Sequence, residues 1–338
     1  MAGDKEIALR RQITLVVLLA VVIFLSGCTS PETPKVYHVG ILSGAEPFTP
    51  IADGFKAKMT ELGYIEGKDI VYDFQKFNAD PEGEKRALKK FVDDKVDLIF
   101  AFPSEPAVEA KAVAQGTGIP VVFAQTGVDM NNLIESVQRP GGNITGVRGP
   151  ALVDDTANRL EILHELVPQA KRFYLIYDLN YPNTPPALEG ARLAASSLGI
   201  TLVQDSVSNL EELQADLKVR AEAKDIGIDA ILMMPDTLTP SPDGFAAIMK
   251  FAKEHKIPVG GTLNFMTDLG AICNYAPDMA EQGRMAAVIA DKIFKGTPAG
   301  TIPVVTPENY LRINYKVAQE LGLNVSEGLL SRAKEIIR

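Results

Sequence analysis

The chain has 338 residues, 46% of them hydrophobic and 23% charged, which excludes a generally disordered protein and suffices for two domains with separate cores. Its net charge is −9 and it has no block of Lys and Arg, which argues against a nucleic-acid partner, because phosphate binding rests on clustered cations. Two Cys and three scattered His exclude a disulfide framework and most zinc sites; His164-Glu165 lacks the second His that a metalloprotease helix needs.

The chain opens on an address. Lys5, Arg10 and Arg11 form a basic start, and Ile13 to Leu25 is apolar apart from Thr14. That run of 13 residues is too short to span a membrane and suits the core of a signal peptide. Leu25-Ser26-Gly27-Cys28 follows and resembles a bacterial lipobox, where the chain is cut before the Cys and the new terminus is lipidated. Residues 1–27 are then a signal peptide, and 28–35 a lipidated Cys28 with a short tether. The alternative is an ordinary leader or short anchor with an incidental Cys. Cleavage removes three basic and two acidic residues and leaves a net charge of −10. Each buried acyl CH₂ contributes about 0.8 kcal/mol, so several chains hold a protein at a membrane, here on its periplasmic or cell-surface side. Cys273 is left alone and reads as a buried small apolar residue rather than a nucleophile.

From Val36 onward strands and helices alternate. Val36-Leu42 reads as a strand, Thr49-Leu62 as a helix with Ile51, Phe55, Met59 and Leu62 at helical spacing, and Asp69-Phe74 as a strand. Pro81-Lys95 (helix), Asp97-Phe102 (strand), Glu105-Gln115 (helix) and Pro120-Ala124 (strand) follow. After Gly141-Gly142 the pattern restarts with Asp154-Leu166 (helix), Phe173-Tyr177 (strand), Pro186-Leu198 (helix) and Thr201-Asp205 (strand). Leu210-Ala223 (helix), Ala230-Met234 (strand), Gly244-His255 (helix) and Pro258-Gly260 (strand) continue it. Strands apolar throughout and separated by helices indicate parallel sheets covered on both faces.

The two runs resemble each other. Gly54 precedes Leu62-Gly63 by eight residues, and Gly190 precedes Leu198-Gly199 by eight, each Leu-Gly closing a helix with a left-handed glycine. The stretch from Val96-Asp97 to Pro103-Ser104 is echoed from Ile228-Asp229 to Pro235-Asp236. Each half then reaches an Ile-Pro-Val step, at Ile119 and Ile257. The fold class expected is therefore α/β, with two doubly wound, Rossmann-like parallel-sheet lobes. Such sheets bind ligands beyond the carboxyl ends of their strands, so facing lobes would share one cleft.

These residues carry a resemblance. Gly54-Phe55 with Leu62-Gly63-Tyr64-Ile65-Glu66-Gly67-Lys68, then Ile119-Pro120-Val121-Val122-Phe123, and Pro140-Gly141-Gly142-Asn143-Ile144-Thr145-Gly146-Val147 are similar to stretches of the ABC-transporter substrate-binding family that includes tryptophan and tyrosine uptake proteins. Pro168, Tyr177, Asn183-Thr184 and Gly283-Arg284 also fit, and the similarity runs from Lys35 to Leu323. The resemblance implies a type I periplasmic-binding-protein fold whose lobes are joined by a three-crossover hinge. It places 36–146 plus 274–300 in lobe one and 147–273 plus 301–338 in lobe two. The chain departs from the family pattern at Asp129-Met130, where Asp-Pro is usual, and at Tyr181, where an acidic residue often stands.

The expected ligand contacts lie at strand ends. Ser43, Gly44 and Phe48 follow the first strand, and Asn183 and Thr184 follow its counterpart. Hydroxyls and exposed amides at helix starts suit a carboxylate, although helix capping uses the same residue types. Ser104 and Asp236 occupy equivalent ends of the repeat, with Glu105 and Thr237 beside them; Asp236 suits an ammonium group and Ser104 a carboxylate. Gln125 and Thr126, and Asn264 and Phe265, end a further pair of strands. Phe48 and Tyr181 suit an apolar ligand body, whereas Phe102 reads as core. Asn143-Ile144-Thr145 reads as a turn and crossover strand rather than a glycosylation site. No Walker motif, nucleophile elbow or dinucleotide fingerprint is present.

The function expected is a monomeric solute-binding lipoprotein of an ABC importer. It would take a small polar ligand, with an aromatic or branched amino acid favoured, and deliver it to permease and ATPase subunits. No cofactor, metal or catalytic residue is implied. A sensory binding protein presenting its ligand to a receptor or sensor kinase is the first alternative. An extracytoplasmic α/β enzyme is the second; it lacks a nucleophile–base set, and only His38 is a candidate near a strand end.

Overall fold

The computed structural model describes residues 35–78, 80–128 and 132–338. Cys28 and the leader 1–27 lie outside the described residues. The first half forms a five-stranded parallel sheet of order β2-β1-β3-β4-β5. Its strands are β1 (Tyr37–Ser43), β2 (Ile70–Lys76), β3 (Leu98–Phe102), β4 (Val121–Thr126) and β5 (Ile144–Arg148). Between them run α1 (Thr49–Glu61), α2 (Pro81–Asp93) and α3 (Ser104–Ala114). All five residues of β3 are buried, as expected for a central strand covered on both faces, while the edge strand β2 carries Asp73 and Gln75.

The second half repeats this order as β7-β6-β8-β9-β10 and extends it with β11 and β12. Its strands are β6 (Arg172–Asp178), β7 (Thr201–Val207), β8 (Ala230–Leu232), β9 (Val259–Gly261) and β10 (Cys273–Ala276). Its helices are α4 (Leu152–Leu166), α5 (Thr184–Leu198), α6 (Leu210–Glu222), α7 (Pro242–His255) and the short α8 (Asn264–Asp268). Each strand and helix expected from the sequence forms within a few residues of its expected limits. The chain then makes α9 (Met279–Phe294), β11 (Tyr310–Asn314), α10 (Tyr315–Glu320), α11 (Glu327–Arg332) and β12 (Ala333–Ile337). The second sheet is not wholly parallel: β11 runs antiparallel to β10. It returns from the other lobe rather than through a helix on its own sheet, so the parallel-crossover rule does not bind it.

The lobes exchange helices. α4 follows β5 of the first sheet but packs on α5 of the second lobe; α9 follows β10 of the second sheet but packs on α1 of the first. Glycine makes both packings possible. A Cβ on Gly54 would lie 1.9 Å from the Ala280 carbonyl oxygen, one on Gly283 1.9 Å from that of Ile51, and one on Gly190 2.0 Å from that of Val153. The expected boundaries at 146/147 and 273/274 fall inside β5 and β10. The third crossing comes after Val305, whose N–H donates to the Gly146 carbonyl at 2.9 Å.

The repeated aspartates serve the strands. Asp97 accepts from the His38 backbone N–H at 2.8 Å, and Asp229 from those of Lys171 and Arg172 at 2.9 and 2.8 Å. Gly63 and Gly199 hold positive φ after their helices. Asn143 donates from its amide to the Ile119 carbonyl at 2.5 Å, a turn role. Cys273 is buried, and burial pushes its thiol up to about 12.

Candidate ligand-binding cleft

The carboxyl ends of β1, β3 and β4 meet those of β6, β8 and β9 around a narrow hollow of about 50 Å³. Phe48, Pro103, Gln125 and Gly127 line it from lobe one, and Pro150 from the first crossing. Lobe two contributes Leu152, Arg159, Tyr181, Asn183, Asp236 and Thr237, with Pro235, Pro240, Thr262 and Leu263. The lobes approach closely at this mouth. A Cβ on Gly127 would lie 3.7 Å from Asn183 Oδ1, and the Tyr181 hydroxyl donates to Glu105 Oε2 at 3.4 Å. Leu263 packs against the cores of both lobes.

Each wall is built by a local departure from regular structure. Gln125 ends β4 at φ +52°, in the left-handed region, where the β4–β5 register shifts between Phe123 and Thr126. Such a conformation costs on the order of 1 kcal/mol in a residue other than glycine, and bulges of this kind re-aim side chains beside sites. The Gln125 carboxamide oxygen accepts from Gln282 Nε2 of α9 at 2.7 Å. Asn183 starts α5 without spending its side chain on a capping bond.

Asp236 ends the β8 segment and is 7% exposed. Its carboxyl accepts from the Thr239 N–H at 2.7 Å, the Thr239 hydroxyl at 3.0 Å and the Asp178 N–H at 3.4 Å. Burial nevertheless pushes it up to about 6, the hydrogen bonds opposing that rise. Burial likewise raises Glu105 and Tyr181. Arg159, in the middle of α4, is 4% exposed. Its Nη2 donates to the Thr156 hydroxyl at 3.2 Å, while its Nε is buried without a partner among the described residues. Burial lowers its pKa to about 10, and the Asp155 charge opposes the change.

A family model described as ABC transporter substrate binding protein matches residues 41–337. The chain belongs to this family. Its members are binding proteins rather than enzymes, and they bind small-molecule ligands and work with ABC transporter components. They work outside the cytoplasm. No helix among the described residues is long and apolar enough to cross a membrane. A tyrosine-binding protein of Clostridioides difficile (strain R20291) is 29% identical over 273 residues, covering 80% of this chain and 76% of that protein. The fold matches that of an ABC domain in complex with L-Trp from Streptococcus pneumonia, with TM-score 0.79, 22% identity, and coverage of 90% of this chain and 100% of that one. It also matches a ligand-free, open substrate binding protein with adhesive properties from Clostridium difficile, at TM-score 0.68 and 23% identity, over 88% and 98% of the two chains. The fold of this binding protein is the type I periplasmic-binding fold.

Of the residues expected at the site, Phe48, Gln125, Asn183, Asp236 and Thr237 line the hollow, and Glu105 reaches its rim through Tyr181. The others do not line it. The hydroxyls of Ser43, Thr126 and Thr184 donate to the nearby carbonyls of Ala45, Ala124 and Asp178 at 2.9, 2.9 and 2.6 Å. Gly44 packs against Pro106, and the Ser104 hydroxyl accepts from the Gly127 N–H at 3.2 Å. Asn264 is held between Tyr310 and Asn274, at 3.0 and 2.7 Å, in a network that reaches Asp278 at the start of α9. Phe265 turns to Phe245 in a separate apolar hollow. His38 sits near the amino end of β1, away from the cleft. Phe102 is fully buried. Sequence reasoning missed Arg159, whose signal was a cation inside the buried stripe of Asp155, Thr156, Leu160 and Leu163.

Proposed function

We propose that this chain is the lipid-anchored, extracytoplasmic binding component of an ABC importer, and that it captures an aromatic or branched α-amino acid by closing its lobes. The observation that carries the reading is the make-up of the cleft. Lobe two brings a buried carboxyl, Asp236, and lobe one brings an aromatic ring, Phe48, to the same hollow. An ammonium group has a partner on one wall and an apolar side chain on the other. A ligand that touches both walls favours the closed state by its differential affinity. The ligands of two similar proteins, tyrosine for the Clostridioides difficile protein and L-Trp for the Streptococcus pneumonia domain, support the amino-acid class. Lipidation of Cys28 would hold the closed, loaded protein beside a permease.

The test is the thermal midpoint of the purified full chain against a panel of amino acids, nucleosides, sugars and small peptides. A ligand at a hundred times its Kd stabilises by about 2.7 kcal/mol, roughly 4 °C in a chain this size. An aromatic or branched amino acid should give the largest shift. A shift confined to sugars or nucleosides would keep the binding role and overturn the ligand class.

A further inference from the structure

Arg159 is the least satisfied charge in the cleft. It is 4% exposed, lines the hollow, and among the described residues its hydrogen bonding is to the Thr156 hydroxyl rather than to a carboxylate. Asp155, one turn earlier on α4, is the acid whose charge it feels, but Asp155 Oδ1 accepts instead from Asn309 Nδ2 at 2.6 Å. Among the described residues its five N–H donors thus have one acceptor, the Thr156 hydroxyl, and the Nε–H is buried with none. Native proteins rarely bury such donors unless something occupies the place, and a buried charge is ordinarily paired.

Resting on the amino-acid reading, we infer that Arg159 anchors the ligand carboxylate. The planar fork of a guanidinium fits a carboxylate through two parallel N–H···O bonds. A phosphate would fit the fork too, but it would bring up to two negative charges into a hollow that already holds the Asp236 carboxyl and has one Arg to meet them. A neutral sugar would leave the cation unpaired. A zwitterion satisfies both: its carboxylate neutralises Arg159 and its ammonium meets Asp236. The ligand is thereby narrowed to molecules carrying one carboxylate and one ammonium group, and the apolar side chain is left to Phe48.

The experiment titrates the full chain with L-tyrosine, L-leucine and the rest of the amino-acid panel. Each is paired with its decarboxylated amine and its deaminated acid, and measured on the wild type, Arg159→Met and Arg159→Lys. The expected result is that the best amino acid binds the wild type about 100-fold or more tightly than its amine, as loss of one partner from a buried charge pair entails. Arg159→Met should lose a similar factor for the amino acid and no longer prefer it to the amine, while Arg159→Lys recovers part of both. A purely structural Arg159 would lower stability without moving that preference. Equal binding of acid and amine by the wild type overturns the inference even if the Met variant does not fold. So does Arg159→Met binding the amino acid within threefold of wild type. If only the deaminated acids bind, and only to the wild type, the amino-acid reading falls and the carboxylate anchor stands. If no carboxylate of either class binds, both fall.

Discussion

Around the first sheet the cleft wall consists of Phe48, Pro103 and Gln125, an aromatic ring, an imino ring and an amide. Around the second it includes Tyr181, Asn183 and two charged side chains, Arg159 and Asp236. Yet the two lobes share the strand order, the Leu-Gly helix ends, the aspartate that pins the start of the central strands, and a glycine at the closest helix contact. The repeat is kept where backbone packing demands it and lost where only a ligand would notice. On the proposed reading, lobe two holds the charged ends of the ligand and lobe one covers its apolar body.

The largest effect should come from striking what the lobes share. Gly54→Val and Gly190→Val each force a side chain into a carbonyl of the facing helix. Overpacking of this kind costs about 3 kcal/mol, which lowers the thermal midpoint of a chain this size by roughly 4 °C. Comparable losses in both would sustain the equivalence of the lobes; an effect in one alone would break it.

Striking what they do not share should change binding instead. Asp236→Asn should weaken the best amino acid about 30-fold at neutral pH, since a buried charge partner is removed. The pH dependence has a definite sign. Burial raises the Asp236 carboxyl to about 6, so it is mostly ionised at pH 7 and mostly neutral at pH 5. Affinity for an ammonium-bearing ligand should fall about tenfold over that interval in the wild type and stay flat in Asp236→Asn. The same raised pKa has the opposite effect on the unliganded fold, which loses stability as pH rises from the ordinary aspartate range to about 6. Phe48→Ala, on the other wall, should cost a smaller amount, about 1.5 kcal/mol or roughly tenfold, and should do so for tyrosine and leucine more than for glycine. Equal loss for glycine would mean that Phe48 holds the lobe rather than the ligand.

What the sequence made legible follows the same division. The alternating apolar runs, the Leu-Gly ends and the repeated Asp-to-Pro strands are properties of one lobe's backbone, and they appear as local patterns. Phe48, Asn183 and Asp236 follow strand ends, where open sheets bind ligands, and they line the hollow. Ser43, Thr126 and Thr184 also sit at strand ends, but their small hydroxyls bond to carbonyls only a few residues away and they do not line the hollow. Asn264 lies off the hollow because α8 begins directly after β9 and its amide bonds to Tyr310 and Asn274 instead. Arg159 lay outside the rule altogether: it projects from the middle of a helix, and its place in the cleft depends on α4 crossing from one lobe to the other. The antiparallel β11 is likewise set by a crossing, which no local pattern encodes.

The most direct test is a diffraction structure of the protein with the amino acid that gives the largest thermal shift. The ligand should lie between the lobes, its carboxylate about 2.7–2.9 Å from the Arg159 guanidinium, its ammonium at Asp236 and its side chain against Phe48. A ligand seated outside the hollow, or one whose carboxylate turns to another group while Arg159 stays unpaired, would contradict that arrangement.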